Sequence, residues 1–139
     1  MQAVILAAGM GKRLGEFTKN NTKCMVKVCG KALIDRVLTQ LSSLDLSRVV
    51  IVVGYEGQRL IDHIGDRYDD RLKIEYIHDP GYDRTNNIYS LALAKEKLLE
   101  DDTLLLESDL IFDDRMFPLI LDNPYPNLVL VDKYQSWMD

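Results

Sequence analysis

Five apolar runs rich in β-formers recur along the 139 residues: AVILA at 3–7, RVVIVV at 48–53, LKIEYI at 72–77, TLLLES at 103–108 and NLVLVD at 127–132. Between the first two, Leu33, Ile34, Val37, Leu38 and Leu41 fall on one face of a helix. Strands that alternate with helices predict an α/β domain with a doubly wound, mostly parallel sheet. Further helices are expected over 57–64 (GQRLIDHI), over 87–98 (NIYSLALAKEKL) and over 114–121 (DRMFPLIL). In the second of these, Ile88, Leu91, Ala92 and the Lys95 stem would share a face; in the third, Pro118 must fall in a first turn or kink the helix. No linker, repeat or low-complexity segment divides the chain, so 1–139 reads as one domain.

In such sheets a ligand binds over the carboxyl ends of the strands, and three polar stretches follow strands here: the loop at 9–23, GYEG at 54–57 and ESD at 107–109. The first bends sharply at Gly9 and Gly11. Exposed backbone N–H groups beside Lys and Arg make such a loop an anion site, with phosphate the first expectation. Charge distribution agrees. The chain carries a net charge of −5, yet residues 1–31 hold Lys12, Arg13, Lys19, Lys23, Lys27 and Lys31 against Glu16 alone. A local basic patch in an acidic chain suits a small anion and argues against a nucleic-acid partner.

Cys24 and Cys29 have neither the spacing of a zinc site nor a partner framework, so free thiols in a reducing cytoplasm are expected. No apolar run approaches the ~18 residues of a membrane span. The last apolar run has no closing element after it, so the natural chain is expected to continue past Asp139, with a possible further domain.

Two familiar phosphate loops fail. Gly11-Lys12 is followed by Arg13 rather than by the Ser or Thr of a Walker A loop. The third glycine of a dinucleotide fingerprint is replaced by Leu14, and the first acid at a second-strand end is Glu56, far too distant. What remains is LAAGxGxRL, then Thr18, Lys23 and GKALI at 30–34. This order resembles the signature of nucleotidyltransferases with the sugar-nucleotide pyrophosphorylase fold, LxxxTxxxPKxMxxxxGKPLI. It departs at Thr22 and Cys24, where prolines often flank the lysine, and at Ala32. YDRTNNIYSLALA (82–94) and ESDLIFDDRMF (107–117) are similar to segments of the choline-phosphate cytidylyltransferases of that superfamily, with 2-aminoethylphosphonate cytidylyltransferases close by.

The resemblance implies a Rossmann-like fold and a reaction in which a phosphate monoester or phosphonate attacks the α-phosphorus of CTP and expels pyrophosphate. It further implies that Leu6, Ala7, Ala8, Gly9 and Gly11 cradle the nucleotide. Arg13 would hold the β and γ phosphates, its forked donors suiting two oxygens. Lys23 would hold the acceptor phosphate and the α-phosphate, and Asp109 would bind Mg²⁺, with a second acid expected beyond Asp139. Asn86, Asn87 and Ser90 offer donors and acceptors to a base or ribose edge, although Asn86 is equally an ordinary helix cap. Tyr55 either packs on the base or lines a rim. Asp113 and Asp114 read as the N-cap and first-turn acid of the following helix; Lys12, Lys19, Lys27 and Lys31 as solvated lysines; His63 and His78 as surface residues. Two alternatives stay open: a sugar-1-phosphate nucleotidyltransferase, and a regulatory domain that binds nucleotide without turnover.

Overall fold

The computed structural model describes residues 1–131 and 133–136, apart from the Arg13 side chain. Four strands form the main sheet: β1 (Gln2–Ala7), β4 (Val49–Val53), β5 (Ile74–His78) and β6 (Thr103–Glu107), in the order β5-β4-β1-β6 and all parallel. A short antiparallel hairpin of β2 (Lys27–Val28) and β3 (Lys31–Ala32) stands apart from them. The four runs within 3–108 are therefore strands, as expected. Burial follows position in the sheet: every residue of the central strands β1 and β4 is buried, as continuous apolar runs covered on both faces must be. The edge strands are only partly covered, and in β6 Leu104 and Leu106 are buried while Leu105 and Glu107 are exposed.

Helix α1 (Leu33–Leu41) buries Leu33, Ile34, Val37, Leu38 and Leu41, the face expected from their spacing. Together with α2 (Gly57–Ile64), it covers one side of the sheet through Ile34, Leu38, Leu60 and Ile64, which cluster with Ile5 and Ile51. The opposite side carries Val4, Leu6, Val50 and Val52 against Ala94, with Leu91 and Leu98 packed around them.

Four expectations need correction. The helix over 87–98 breaks at Ala94 into α3 (Asn87–Leu93) and α4 (Lys95–Leu98). Its buried face runs through Ser90 and Ala94, while Ile88, Ala92 and Lys95 face solvent. Ala94, at the break, is fully buried against the sheet face formed by Val4, Leu6, Val50 and Val52. Helix α5 (Met116–Leu121) starts later than expected because Pro118, which has no N–H to give, is accommodated within its first turn. Asp113 and Asp114 consequently lie before the helix: the Asp113 carboxylate accepts from the Arg115 N–H, and Asp114 accepts from Gln40 Nε2.

His63 is half-buried rather than on the surface, held by the Asp35 carboxylate at 3.0 Å. Finally, 127–131 is not a strand, and Asp132 lies outside the described residues. Val129 and Val131 are exposed, and among the described residues the sheet ends at β6 and β5. Apolar β-branched composition supplies propensity only; a strand also needs a ladder for its N–H and C=O groups. The two prolines just before the run, Pro124 and Pro126, each remove a donor.

Candidate active site

The chain crosses from β1 through β4 to β5 on one side and returns to place β6 on the other side of β1. Connections therefore diverge between β1 and β6, and a crevice opens over their carboxyl ends, where open parallel sheets bind ligands. A cleft of about 680 Å³ lies there, within the usual range for small-molecule sites. Leu6, Gly9, Gly11, Lys12, Leu14 and Lys23 line it from the β1 side, and Asn87, Glu107, Ser108 and Asp109 from the other.

The loop after β1 is held in place by its own backbone. Gly11 adopts φ 62°, ψ 30°, a left-handed conformation that ends the extended run. Its carbonyl accepts from the Leu14 N–H (2.8 Å) and from the Thr18 hydroxyl (3.1 Å), which also reaches the Gly15 carbonyl (3.2 Å). Thr18 is thereby buried and pinned beneath the loop. A Cβ on Gly11 would stand 2.9 Å from Thr18 Cγ2 and 3.1 Å from Lys23 Cβ. The glycine is thus required by close approach as well as by conformation, and it brings Lys23 to the cleft.

Lys23 forms an ion pair with Asp109 across the cleft. Asp109 stands just past β6, whose turn is fixed by the Ser108 N–H donating to the Leu6 carbonyl (3.2 Å). Behind this pair Cys24 is buried, its sulfur 2.8 Å from the Thr22 hydroxyl. Burial pushes the Cys24 thiol up to about 11, and the nearby Asp109 charge acts in the same direction. On the far wall, Asn87 Nδ2 donates to both oxygens of Glu107, at 3.0 and 3.1 Å.

Of the residues expected to bind nucleotide, Leu6, Gly9, Gly11, Lys23, Asn87 and Asp109 meet in the cleft. The Arg13 side chain lies outside the described part of the structure. Ala7 and Ala8 are buried beneath the loop, where Ala8 accepts from the Tyr55 N–H at 3.1 Å. The Tyr55 ring lies 6.0 Å from that of Tyr82, at the neighbouring strand ends rather than in the cleft lining. Asn86 caps α3, its side-chain oxygen accepting from the Ile88 N–H at 3.1 Å. Ser90 is buried and donates at 2.7 Å to Asp79, whose other oxygen accepts from the Gly81 N–H at 2.8 Å; it is not brought to the cleft.

Sequence reasoning missed Lys12, Leu14, Glu107 and Ser108 as cleft residues. Position between Gly11 and Arg13 marked Lys12. The ESD stretch marked Glu107 as a polar residue at a strand end. Alternation along β6 then sends Glu107 to the α3 side of the sheet, away from the buried Leu106.

Fold and cleft together define a doubly wound α/β domain with a glycine-rich loop over the crevice at the carboxyl edge of its sheet. Residues 3–135 match the MobA-like NTP transferase domain, and the chain belongs to that family. Among its relatives is CMP-5'-(3-aminopropyl)phosphonate synthase of Streptomyces rubellomurinus, 32% identical over 96% of this chain and 21% of that protein. A UTP-glucose-1-phosphate uridylyltransferase of Haloferax volcanii is 35% identical over 81% of this chain and 45% of its own length. The solved structure of CTP:phosphocholine cytidylyltransferase from Streptococcus pneumoniae superposes with a TM-score of 0.68 at 30% identity, covering 81% of this chain and 47% of that one. The chain spans less than half the length of each of these three proteins.

Proposed function

We propose that the chain is the nucleotide-binding part of a cytidylyltransferase. It would transfer CMP from CTP to a small phosphorylated amine or alcohol, or to a phosphonate, and release pyrophosphate. The observation that carries this is the meeting of Gly9, Gly11, Lys12 and Lys23 with Asp109 over the ends of β1 and β6. Relatives that make a CMP-phosphonate and that use CTP with phosphocholine support the choice of nucleotide and acceptor.

The attacking oxygen is already ionised, so the protein has only to align two anions and neutralise charge. Backbone N–H groups around Gly9 and Gly11, with Lys12, receive the triphosphate. Lys23 suits the acceptor oxygen and the α-phosphate because a point charge tolerates oxygens that move during transfer. Arg13, from its place in the loop signature, is assigned the β and γ phosphates. Mg²⁺ fits the donors present: Asp109 offers a carboxylate in the cleft, and phosphate oxygens with water complete a shell that needs few protein ligands. Among the described residues no cluster of three or more His, Cys, Asp or Glu exists to hold a metal without substrate. When bound, the ion would neutralise charge on the phosphate oxygens.

The uridylyltransferase relative favours a second reading, a sugar-1-phosphate nucleotidyltransferase. Titration with CTP, UTP and GTP separates the two, with CTP expected to bind most tightly. Pyrophosphate release from CTP with phosphocholine or 2-aminoethylphosphonate tests turnover. Tighter binding of UTP, with release only on a sugar phosphate, would overturn the cytidylyl reading.

A further inference from the structure

Charge within the cleft is divided in a way that phosphate binding alone does not explain. Lys12 and Lys23 line the β1 side, and Asp109 on the other is already matched by Lys23. Glu107 is an exposed carboxylate, and among the described side chains no Lys or Arg pairs with it. Its partner is the neutral Asn87 amide, which donates one nitrogen to both of its oxygens. A negative charge that no described cation offsets repels a nucleotide bound beside it, so its presence calls for a positive charge on something else that binds there. The amide contact also orients Asn87. With Nδ2 turned to Glu107, Oδ1 is left as an acceptor, so Asn87 and Glu107 together offer acceptors to a bound donor.

We propose that Glu107, oriented with Asn87, binds the ammonium group of a zwitterionic acceptor and selects one that carries N–H donors. This rests on the proposed cytidylyl transfer to a phosphorylated amine and narrows it. Glu107 and Asp109 are two residues apart, so their Cα atoms are at most about 7 Å from each other. A molecule whose phosphonate sits by Lys23, the partner of Asp109, and whose nitrogen is two carbons away has its two charges separated on that same scale. A primary ammonium supplies three donors to Glu107 and Asn87 Oδ1. A trimethylammonium supplies charge but no donor, and is recognised best by aromatic faces.

Calorimetry with 2-aminoethylphosphonate, ethylphosphonate and the N-trimethyl analogue of the first, each in the presence of a non-hydrolysable CTP analogue, tests this. The native protein is expected to bind the primary amine at least about tenfold more tightly than ethylphosphonate, with the trimethyl compound between them. Glu107→Gln should bring the amine and ethylphosphonate to within about twofold. Asn87→Ala should narrow the gap between the primary and trimethyl compounds. Equal affinity of the native protein for amine and ethylphosphonate overturns the inference while leaving cytidylyl transfer standing if the CTP analogue binds. So does a Glu107→Gln variant that changes CTP against UTP preference and leaves the acceptor ratio intact, because the carboxylate then faces the base. A protein that binds no cytidine nucleotide yet discriminates the amine through Glu107 supports the ammonium site and overturns the cytidylyl reading.

Discussion

Gly11→Ala tests whether the loop after β1 delivers Lys23 to the cleft. The variant meets two separate penalties. At φ 62° an alanine side chain costs about 1–2 kcal/mol against its own carbonyl. Its Cβ then stands 2.9 Å from Thr18 Cγ2 and 3.1 Å from Lys23 Cβ, both too close. Thr18 cannot turn away without losing its bonds to the Gly11 and Gly15 carbonyls, so the displacement falls on Lys23. Overpacking of this kind costs roughly 1–3 kcal/mol. The expected loss of folding stability is therefore about 2–5 kcal/mol, and displacement of a charged donor should weaken CTP by roughly 10- to 100-fold. Gly30→Ala is the control: φ is 79°, but nothing lies within 4 Å of the added Cβ, and the residue turns the β2–β3 hairpin outside the cleft lining. It should show the backbone strain alone and keep CTP affinity within about twofold. Urea unfolding and calorimetry on both variants decide the matter. If Gly11→Ala binds CTP as well as Gly30→Ala does, the glycine's close approach does not position Lys23.

Ser90→Ala should lower stability by about 1–2 kcal/mol by leaving the buried Asp79 oxygen short of a donor, yet keep CTP affinity within about threefold; a tenfold loss of affinity with unchanged melting would return Ser90 to the ligand. Asp109→Asn should change stability by less than about 1 kcal/mol, because the pair with Lys23 is partly exposed, while removing the Mg²⁺ dependence of CTP binding in calorimetry. Arg13→Ala should weaken CTP more than CMP, since the β and γ phosphates are missing from CMP; equal losses remove it from that role. Cys24 carries a pH prediction. Its folded value of about 11 exceeds the ordinary 9.0, so the unfolded chain gives up its proton first as pH rises, and stability is lost between those values by up to about 3 kcal/mol. Denaturant titrations at pH 8 and pH 11 should show a smaller drop for Cys24→Ala, and at pH 8 iodoacetamide should label the exposed Cys29 and spare Cys24.

The parts of the fold readable from sequence were those where local pattern and tertiary context agree. β1 and β4 are central and covered on both faces, so their apolar runs are unbroken; α1 packs one face on the sheet, so its spacing is clean. Pattern misled where a partner decided the outcome. The residues at 127–131 have strand propensity without a ladder, and 87–98 has helical spacing interrupted where Ala94 enters the core. The same distinction runs through the cleft. Lys23 and Asp109 were recognisable because a long ordered motif surrounds them. Ser90 carries the chemistry of a base reader, but only the position of Asp79 shows that its hydroxyl is already engaged.

Glu107 shows why a site cannot be assembled from residue types alone. In sequence it directly follows the apolar residues Leu104–Leu106, and a glutamate at a strand end is usually a solvated edge. Parallel register with β1 sets it beside Leu6, so it reaches the cleft that the glycine loop opens one strand away. The result is a crevice with cations on the β1 side, a paired carboxylate at its centre and, on the α3 side, a carboxylate that no described Lys or Arg side chain pairs with. A nucleotide alone would be served by the first two. The third gives the cleft a direction, and a substrate with an anionic end and a cationic end can occupy it in only one orientation. The proposed in-line transfer would need that restriction, because an acceptor oxygen misplaced by about 1 Å can cost two orders of magnitude in rate.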